Sequence, residues 1–278
     1  MLLAHSDSCK AIFGTVSIFR MYSNTLFRIR QIDSYHSIVP TYIFKHSLYK
    51  RRHNLETNYR YTTPVKMQRS THYGNNYYVI PSRKIGRNVT AFSYLEYCNI
   101  ITLEMNSKVA YYCEQPCTVD VYVNGKKFQT TFDVYVVYTD GHEEMQEIKY
   151  NSELNADNEK GERDREQIER QKLWCLQNDI SYIVRTDNII MPGDFTTRNM
   201  AWLAAKARRY TKTDDIARKI IIAYLKENGS MTIGQLYTSG NLTHKNGLDL
   251  LADMYYRGEI SIGNIDSEQI SNKTEVSV

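Results

Sequence analysis

Asp133, Glu147 and Lys149 are the residues of this 278-residue chain whose types and spacing best suit chemistry. The run from Thr131 to Tyr138 is β-branched and aromatic, Asp140-Gly141 is a strong hairpin turn signal, and the run from Met145 to Tyr150 returns with Glu147 and Lys149 flanking the apolar Ile148. Alternation along a strand puts Glu147 and Lys149 on one face, and a suitable register lets Asp133 join them from the neighbouring strand. Two carboxylates and a lysine in one small volume suit metal-assisted hydrolysis of a phosphodiester. Carboxylate oxygens hold Mg²⁺, or Mn²⁺ as its substitute, and the ion activates a water and neutralises charge developing on the phosphate. Lys149 would orient the water or stabilise the transition state. The same pattern also fits a surface hairpin with a solvated Glu and Lys, since short motifs recur by chance.

The elements around the hairpin must position it. Leu95, Ile100 and Leu103 form an apolar helical face beginning after Ser93, which caps the helix with Glu96 three residues later, as in a capping box. Strands are expected over residues 109–112 and 118–123, with Asn124-Gly125 turning tightly into residues 127–133. The chain is charged over residues 151–170 and then reads as a helix up to Asn178, with Lys160, Arg163, Arg165, Arg170 and Lys172 interleaved with acids and read as a solvated helix face. A strand over residues 181–185 then returns to the same sheet.

Hydrophobic content of 42% supports a sizeable core and two domains. The net charge of +4 conceals an uneven distribution, because residues 41–87 carry Lys45, Lys50, Arg51, Arg52, Arg60, Lys66, Arg69, Arg83, Lys84 and Arg87 against the single acid Glu56. Aromatics are interleaved with these cations, a composition that suits phosphates and bases as well as it suits a solvated arm packed on its neighbour. Lys50, Arg51, Arg52, Arg60, Lys66, Arg69, Arg83, Lys84 and Arg87 are the candidate DNA contacts. The five scattered cysteines argue against a disulfide scaffold, and Cys113 and Cys117 lack further ligands for zinc. Residues 1–40 show no clear periodicity and no apolar stretch long enough to span a bilayer, so they are expected to be a disordered N-terminal extension without a signal peptide.

Beyond residue 210 the spacing predicts a helix capped at Thr213-Asp214 and ending at Asn228-Gly229, a short helix over residues 232–237, a third over residues 243–256 stopped by Gly258, and a strand over residues 259–262. Three helices and a strand resemble a winged helix over residues 211–265. The third helix bears few cations against Asp249 and Asp253, which favours a protein partner over groove binding. Residues 266–278, polar and without periodicity, are expected to be a disordered tail.

Ser93-x-Leu95-Glu96, Val109-x-x-Tyr112-x-Glu114-Gln115-Pro116, Gly125 through Thr131-Phe132-Asp133, Glu147-Ile148-Lys149 and Trp174-Cys175 through Ile183-Val184-x-Thr186 together resemble the TnsA endonucleases, in order from about residue 60 to 210. The resemblance implies an α/β, restriction-endonuclease-like PD-(D/E)xK core over residues 41–210 and a carboxyl-terminal winged helix. It implies a Mg²⁺-dependent endonuclease that cuts the 5′ strands at transposon ends in cut-and-paste transposition. Its partners would be double-stranded DNA, a TnsB-like DDE transposase and a TnsC-like AAA+ ATPase, in a bacterial cytoplasm near the nucleoid and away from membranes. Carried over by position, Glu96 is the helix glutamate, Asp133 the metal aspartate, Glu147 the acid of the ExK pair and Lys149 its lysine. Glu96, Asp133 and Glu147 would then face the metal. Phe132 departs from the proline frequent before the aspartate, and Glu147 stands where some relatives have glutamine. The alternatives are a free-standing restriction or repair nuclease and a non-catalytic DNA-binding assembly factor, separable by whether the lone chain cuts DNA.

Overall fold

Strand-forming residues concentrate between positions 78 and 186, and the computed structural model, which describes residues 59–66, 76–211, 215–243 and 245–278, builds its main sheet there. In chain order the elements of this part are β1 (Tyr78–Pro81), β2 (Asn88–Ala91), α1 (Tyr94–Met105), β3 (Val109–Glu114), β4 (Thr118–Val123), β5 (Lys126–Thr131), β6 (Val134–Tyr138), β7 (Glu143–Lys149), α2 (Asn151–Leu154), α3 (Glu159–Gln177), β8 (Ser181–Thr186) and α4 (Asp187–Ile190). The main sheet has four strands in the order β3-β6-β7-β8, antiparallel except for the parallel pair β7-β8 that α3 connects.

Side-chain alternation divides this sheet cleanly. Tyr112, Val134, Val136 and Ile148 pack with Leu95, Cys98, Ile100 and Leu103 of α1. Cys113, Tyr135, Val137 and Met145 point the other way, towards Cys175 and Trp174 of α3. The sheet is therefore covered on both faces, and each face was written by the period of two in β6. The turn between β6 and β7 is the expected one, with Gly141 at φ 92° and the His142 N–H donating to Asp140 Oδ1 at 2.9 Å. Asn124 and Gly125, at φ 50° and 74°, close the β4-β5 hairpin, which stands as a separate two-stranded sheet.

The carboxyl-terminal part continues with α5 (Thr196–Arg209), α6 (Asp215–Asn228), β9 (Met231–Thr232), α7 (Ile233–Thr238), α8 (Gly247–Tyr256), β10 (Ser261–Ile262) and β11 (Glu275–Ser277). Ile221, Leu225, Leu236, Leu251 and Met254 form its core. Thr232 caps α7 with a complete capping box to Gln235. The expected boundary near residue 210 is no loose joint, because Met105 of α1 packs in one cluster with Leu203 and Ala207 of α5, Ala252 of α8 and Ile262 of β10.

The expected disordered tail is corrected by the structure. β11 lies between β10 and β9 as the middle strand of a three-stranded sheet, and Val276 is fully buried. Asn199 of α5 donates to Ile265 O at 2.7 Å and Glu268 O at 2.6 Å, and Thr196 Oγ1 donates to Asp266 Oδ1 at 2.8 Å. A three-residue strand is too short to show periodicity, so its order comes from partners elsewhere in the chain. Residues 1–40 lie outside the described residues. Among the described residues no helix is long and apolar enough to cross a membrane.

Candidate active site

β6 and β7 pair with Val134 opposite Gln146, so the register extended by one residue sets Asp133 opposite Glu147. Asp133 sits just before β6, on the same side of the sheet as Tyr135, Glu147 and Lys149. The Ile148 N–H donates to Asp133 Oδ2 at 2.7 Å. The expected convergence of Asp133, Glu147 and Lys149 is what the hairpin produces, on the face covered by α3.

Glu147 is almost completely buried, at 1% exposure, and both of its oxygens are engaged. Oε1 accepts from Gln167 Nε2 at 3.1 Å and lies 3.1 Å from Lys149 Nζ, while Oε2 accepts from Gln171 Nε2 at 2.8 Å. Gln171 is itself held, because its Oε1 accepts the Tyr182 hydroxyl at 2.7 Å and its Nε2 donates to Thr130 Oγ1 at 3.1 Å. Glu147 is therefore first an anchor for Lys149. Lys149 Nζ also lies 3.4 Å from Asp164 Oδ1.

Glu96 approaches from the other face of the sheet. Ser93 Oγ accepts the Glu96 N–H at 3.1 Å, the first half of the expected capping box, but the Glu96 carboxylate accepts from Phe92 N at 3.0 Å in place of the Ser93 N–H. Glu96 Oε2 also lies 3.4 Å from Gln115 Nε2. Gln115 follows β3 with φ 34°, a left-handed conformation costly for any residue but glycine, and its N–H donates to Asp133 O at 2.8 Å. One residue thus touches both Glu96 and the backbone of Asp133. The sequence offered Gln115 only as part of the Glu-Gln-Pro string.

Charge explains the site better than distance does. Burial, then the negative charges of Glu147 and Glu96, hold the Asp133 carboxyl well above the usual carboxylate range, against the Ile148 N–H and Lys149. Burial likewise raises Glu147, with Lys149 and Gln171 opposing it. For Lys149, burial alone would lower the ammonium, but the Glu147 and Asp133 carboxylates outweigh it and hold it above the ordinary lysine range. Hard oxygens with an excess of negative charge fit a divalent cation, which would relieve the repulsion at Asp133. Among the described residues no group of three or more His, Cys, Asp or Glu side chains is drawn together as a finished cage. Both oxygens of Glu147 are committed to Gln167, Lys149 and Gln171, which leaves Asp133 and Glu96 as the candidates to hold an ion.

Of the candidate DNA contacts, Lys50, Arg51, Arg52 and Arg69 lie outside the described residues. Lys66 is exposed and lines a cavity of about 410 Å³ with Tyr77, Phe92 and Gln115, beside Glu96. Arg60 is half exposed and paired with Glu143 at 2.7 Å. The remaining three do not form a free cationic face, which corrects that expectation. Arg87 binds Glu114 with both terminal nitrogens, at 2.6 and 2.7 Å. Arg83 donates to Asp253 Oδ1 at 2.6 Å and Ala207 O at 2.8 Å. Lys84 donates to Asn106 O and Val109 O at 3.1 and 2.7 Å, and burial pushes its ammonium down to about 8 despite Glu104 nearby. Their acidic partners lie outside residues 41–87, so a local charge count could not see them.

Charge pattern alone makes α3 a solvated helix and does not single out Asp164, Gln167 and Gln171. Their spacing of three and four residues puts them on one helical stripe, the signal that was available. Residues 106–187 match the family model described as TnsA-like endonuclease N terminal, a span that contains Asp133, Glu147 and Lys149 and leaves Glu96 outside it. No curated protein matches the chain.

Proposed function

Because residues 106–187 form a TnsA-like endonuclease N-terminal domain, which supports membership of the TnsA endonuclease family, we propose that this chain is the metal-dependent DNA endonuclease that cuts the 5′ strands at transposon ends. The observation that carries the reading is the juxtaposition of Asp133, Glu147 and Lys149 on one face of a hairpin, with Asp133 under the combined charge of Glu147 and Glu96. Asp133 and Glu96 would hold Mg²⁺, or Mn²⁺ in its place. The ion when bound supplies a Lewis acid and an activated water. Lys149, fixed by Glu147, directs its ammonium at the phosphate or the attacking water, and burial of the site keeps that charge effective. Lys50, Arg51, Arg52, Arg60, Lys66 and Arg69 are the cations proposed to meet the DNA backbone.

The core is read as the PD-(D/E)xK type, and helices α6, α7 and α8 with the sheet β9-β11-β10 support a winged helix behind it. On α8, Asp249 is tied to Lys206 at 3.4 Å and Arg209 at 3.1 Å, and Asp253 is buried. That chemistry suits docking to a protein better than insertion into a groove. The partners we propose are a TnsC-like AAA+ ATPase and a TnsB-like DDE transposase. The test is Asp133→Ala on a labelled transposon end with the transposase present. Loss of 5′ nicking with an unchanged circular dichroism spectrum is expected, and undiminished nicking would refute the site. Robust cutting by the wild-type chain alone would instead indicate a free-standing nuclease.

A further inference from the structure

α3 brings a carboxylate to this site that no motif supplied. Its start is fixed by Asn158, whose side chain accepts the Gly161 N–H at 2.9 Å, and by Gly161, where any Cβ would run into the Ala156 carbonyl oxygen. Asp164 follows three residues later, on the stripe that Gln167 and Gln171 continue. Those two glutamines bind Glu147, and Lys149 Nζ lies 3.1 Å from Glu147 Oε1 and 3.4 Å from Asp164 Oδ1.

Asp164 Oδ2 is buried and finds no hydrogen-bond partner among the described residues. A dry, unpaired carboxylate oxygen is costly, and packing alone would be served better by an apolar or amide side chain. Such a departure from local economy is the kind that proteins keep at functional sites. The ammonium has three donors. One contact with Glu147 leaves it free to swing about that bond, whereas contacts with two anions fix its direction and leave a donor for a third group.

We propose that Asp164 is the positioning residue of Lys149, aiming its ammonium into the space beside Asp133. The inference rests on the nuclease reading for its consequence, but not for its geometry. A misplacement of about 1 Å at such a group costs on the order of a hundredfold in rate.

The test uses the full chain with Asp164→Asn, Lys149→Met and the double variant, and the cleavage assays are run on a labelled transposon end with the transposase present. In single-turnover 5′ cleavage, Asp164→Asn should lower the rate at saturating DNA by about ten- to a hundredfold, leave half-saturating DNA within about threefold, and leave the thermal midpoint unchanged or higher. Cleavage within about twofold of wild type, or a rate loss that only tracks a fallen midpoint, would overturn the proposal. A second measurement needs no activity: the midpoint shifts of the two single variants should fail to add in the double, because each removes the same contact. Additive shifts would overturn the positioning role. If the wild-type chain cuts no DNA even with the transposase present while the shifts remain non-additive, the nuclease reading falls and the Asp164–Lys149 coupling stands.

Discussion

Asp133 carries the clearest physical signature of function in the molecule. Its carboxyl is raised by burial and by Glu147 and Glu96, so the folded protein binds its proton more tightly than the unfolded chain does. Stability from this group is full below the unfolded value near pH 4 and declines as pH rises from there through the raised folded value. Asp133→Asn should therefore unfold at a higher temperature than wild type at pH 7 and show a shallower decline, as thermal melts from pH 4 to 8 would reveal; an equal or lower midpoint at pH 7 would contradict the charge account. Glu104 shows the opposite use of a buried carboxylate. It accepts from Ser82 Oγ at 2.6 Å, Arg83 N at 2.9 Å, Lys84 N at 3.2 Å and Tyr112 Oη at 2.8 Å. An amide supplies one acceptor oxygen where these donors use two, so Glu104→Gln should cost about 2–4 kcal/mol in urea unfolding. Glu96, on the same helix, is only partly buried and should tolerate glutamine with far less loss.

The hairpin β6-β7 and helix α3 act as a pair at the scale of elements. The hairpin supplies Asp133, Glu147 and Lys149, and the helix supplies the glutamines and Asp164 that hold them, its first turn lying against the Ala156 carbonyl where Gly161 leaves room. An alanine there would ordinarily favour a helix by about 1 kcal/mol. Here the backbone approach outweighs propensity, and Gly161→Ala should instead destabilise by about 1–3 kcal/mol. Urea unfolding measures that cost. Cleavage should fall with it even under conditions where the variant stays folded, since α3 must shift to make room. Full activity in a destabilised Gly161→Ala would separate the helix from the site.

At the scale of the whole molecule, Asp253 fastens the loop after β1 to the carboxyl-terminal part. It is fully buried and binds Arg83 at 2.6 Å, Arg218 at 3.1 Å and Arg257 at 2.7 Å. Arg83 is in turn held through its N–H by Glu104, so one chain of charges runs from α1 to α8. Removing one partner of a buried ionic group leaves the others uncompensated. The tail belongs to the same unit, since Val276 fills the core beside Ile233 and Ile260 and β11 joins β9 to β10. Deleting residues 266–278 should lower the thermal midpoint by several degrees and expose apolar surface, because β9 and β10 lose the strand that joins them. A truncated chain that melts like the full one, without binding a hydrophobic dye, would show that β11 contributes nothing to stability.

What the sequence determined by itself was local. The period of two, the Asp140-Gly141 turn and the Ser93 cap depend on residues a few positions apart, and they sufficed to place Asp133, Glu147 and Lys149 on one face and to start α1 correctly. Glu96 was legible only through its resemblance to a family, because its own neighbours describe a cap as well as they describe a ligand. The tertiary structure alone decided the rest. Arg83 and Arg87 looked like a cationic arm until Asp253 and Glu114 neutralised them, and α3 looked solvated until one stripe of it closed over Lys149. The tail became a strand only when β9 and β10 offered it two edges. In each case the deciding partner lies far away in sequence, and neither periodicity nor composition carries information about a neighbour that folding has yet to supply.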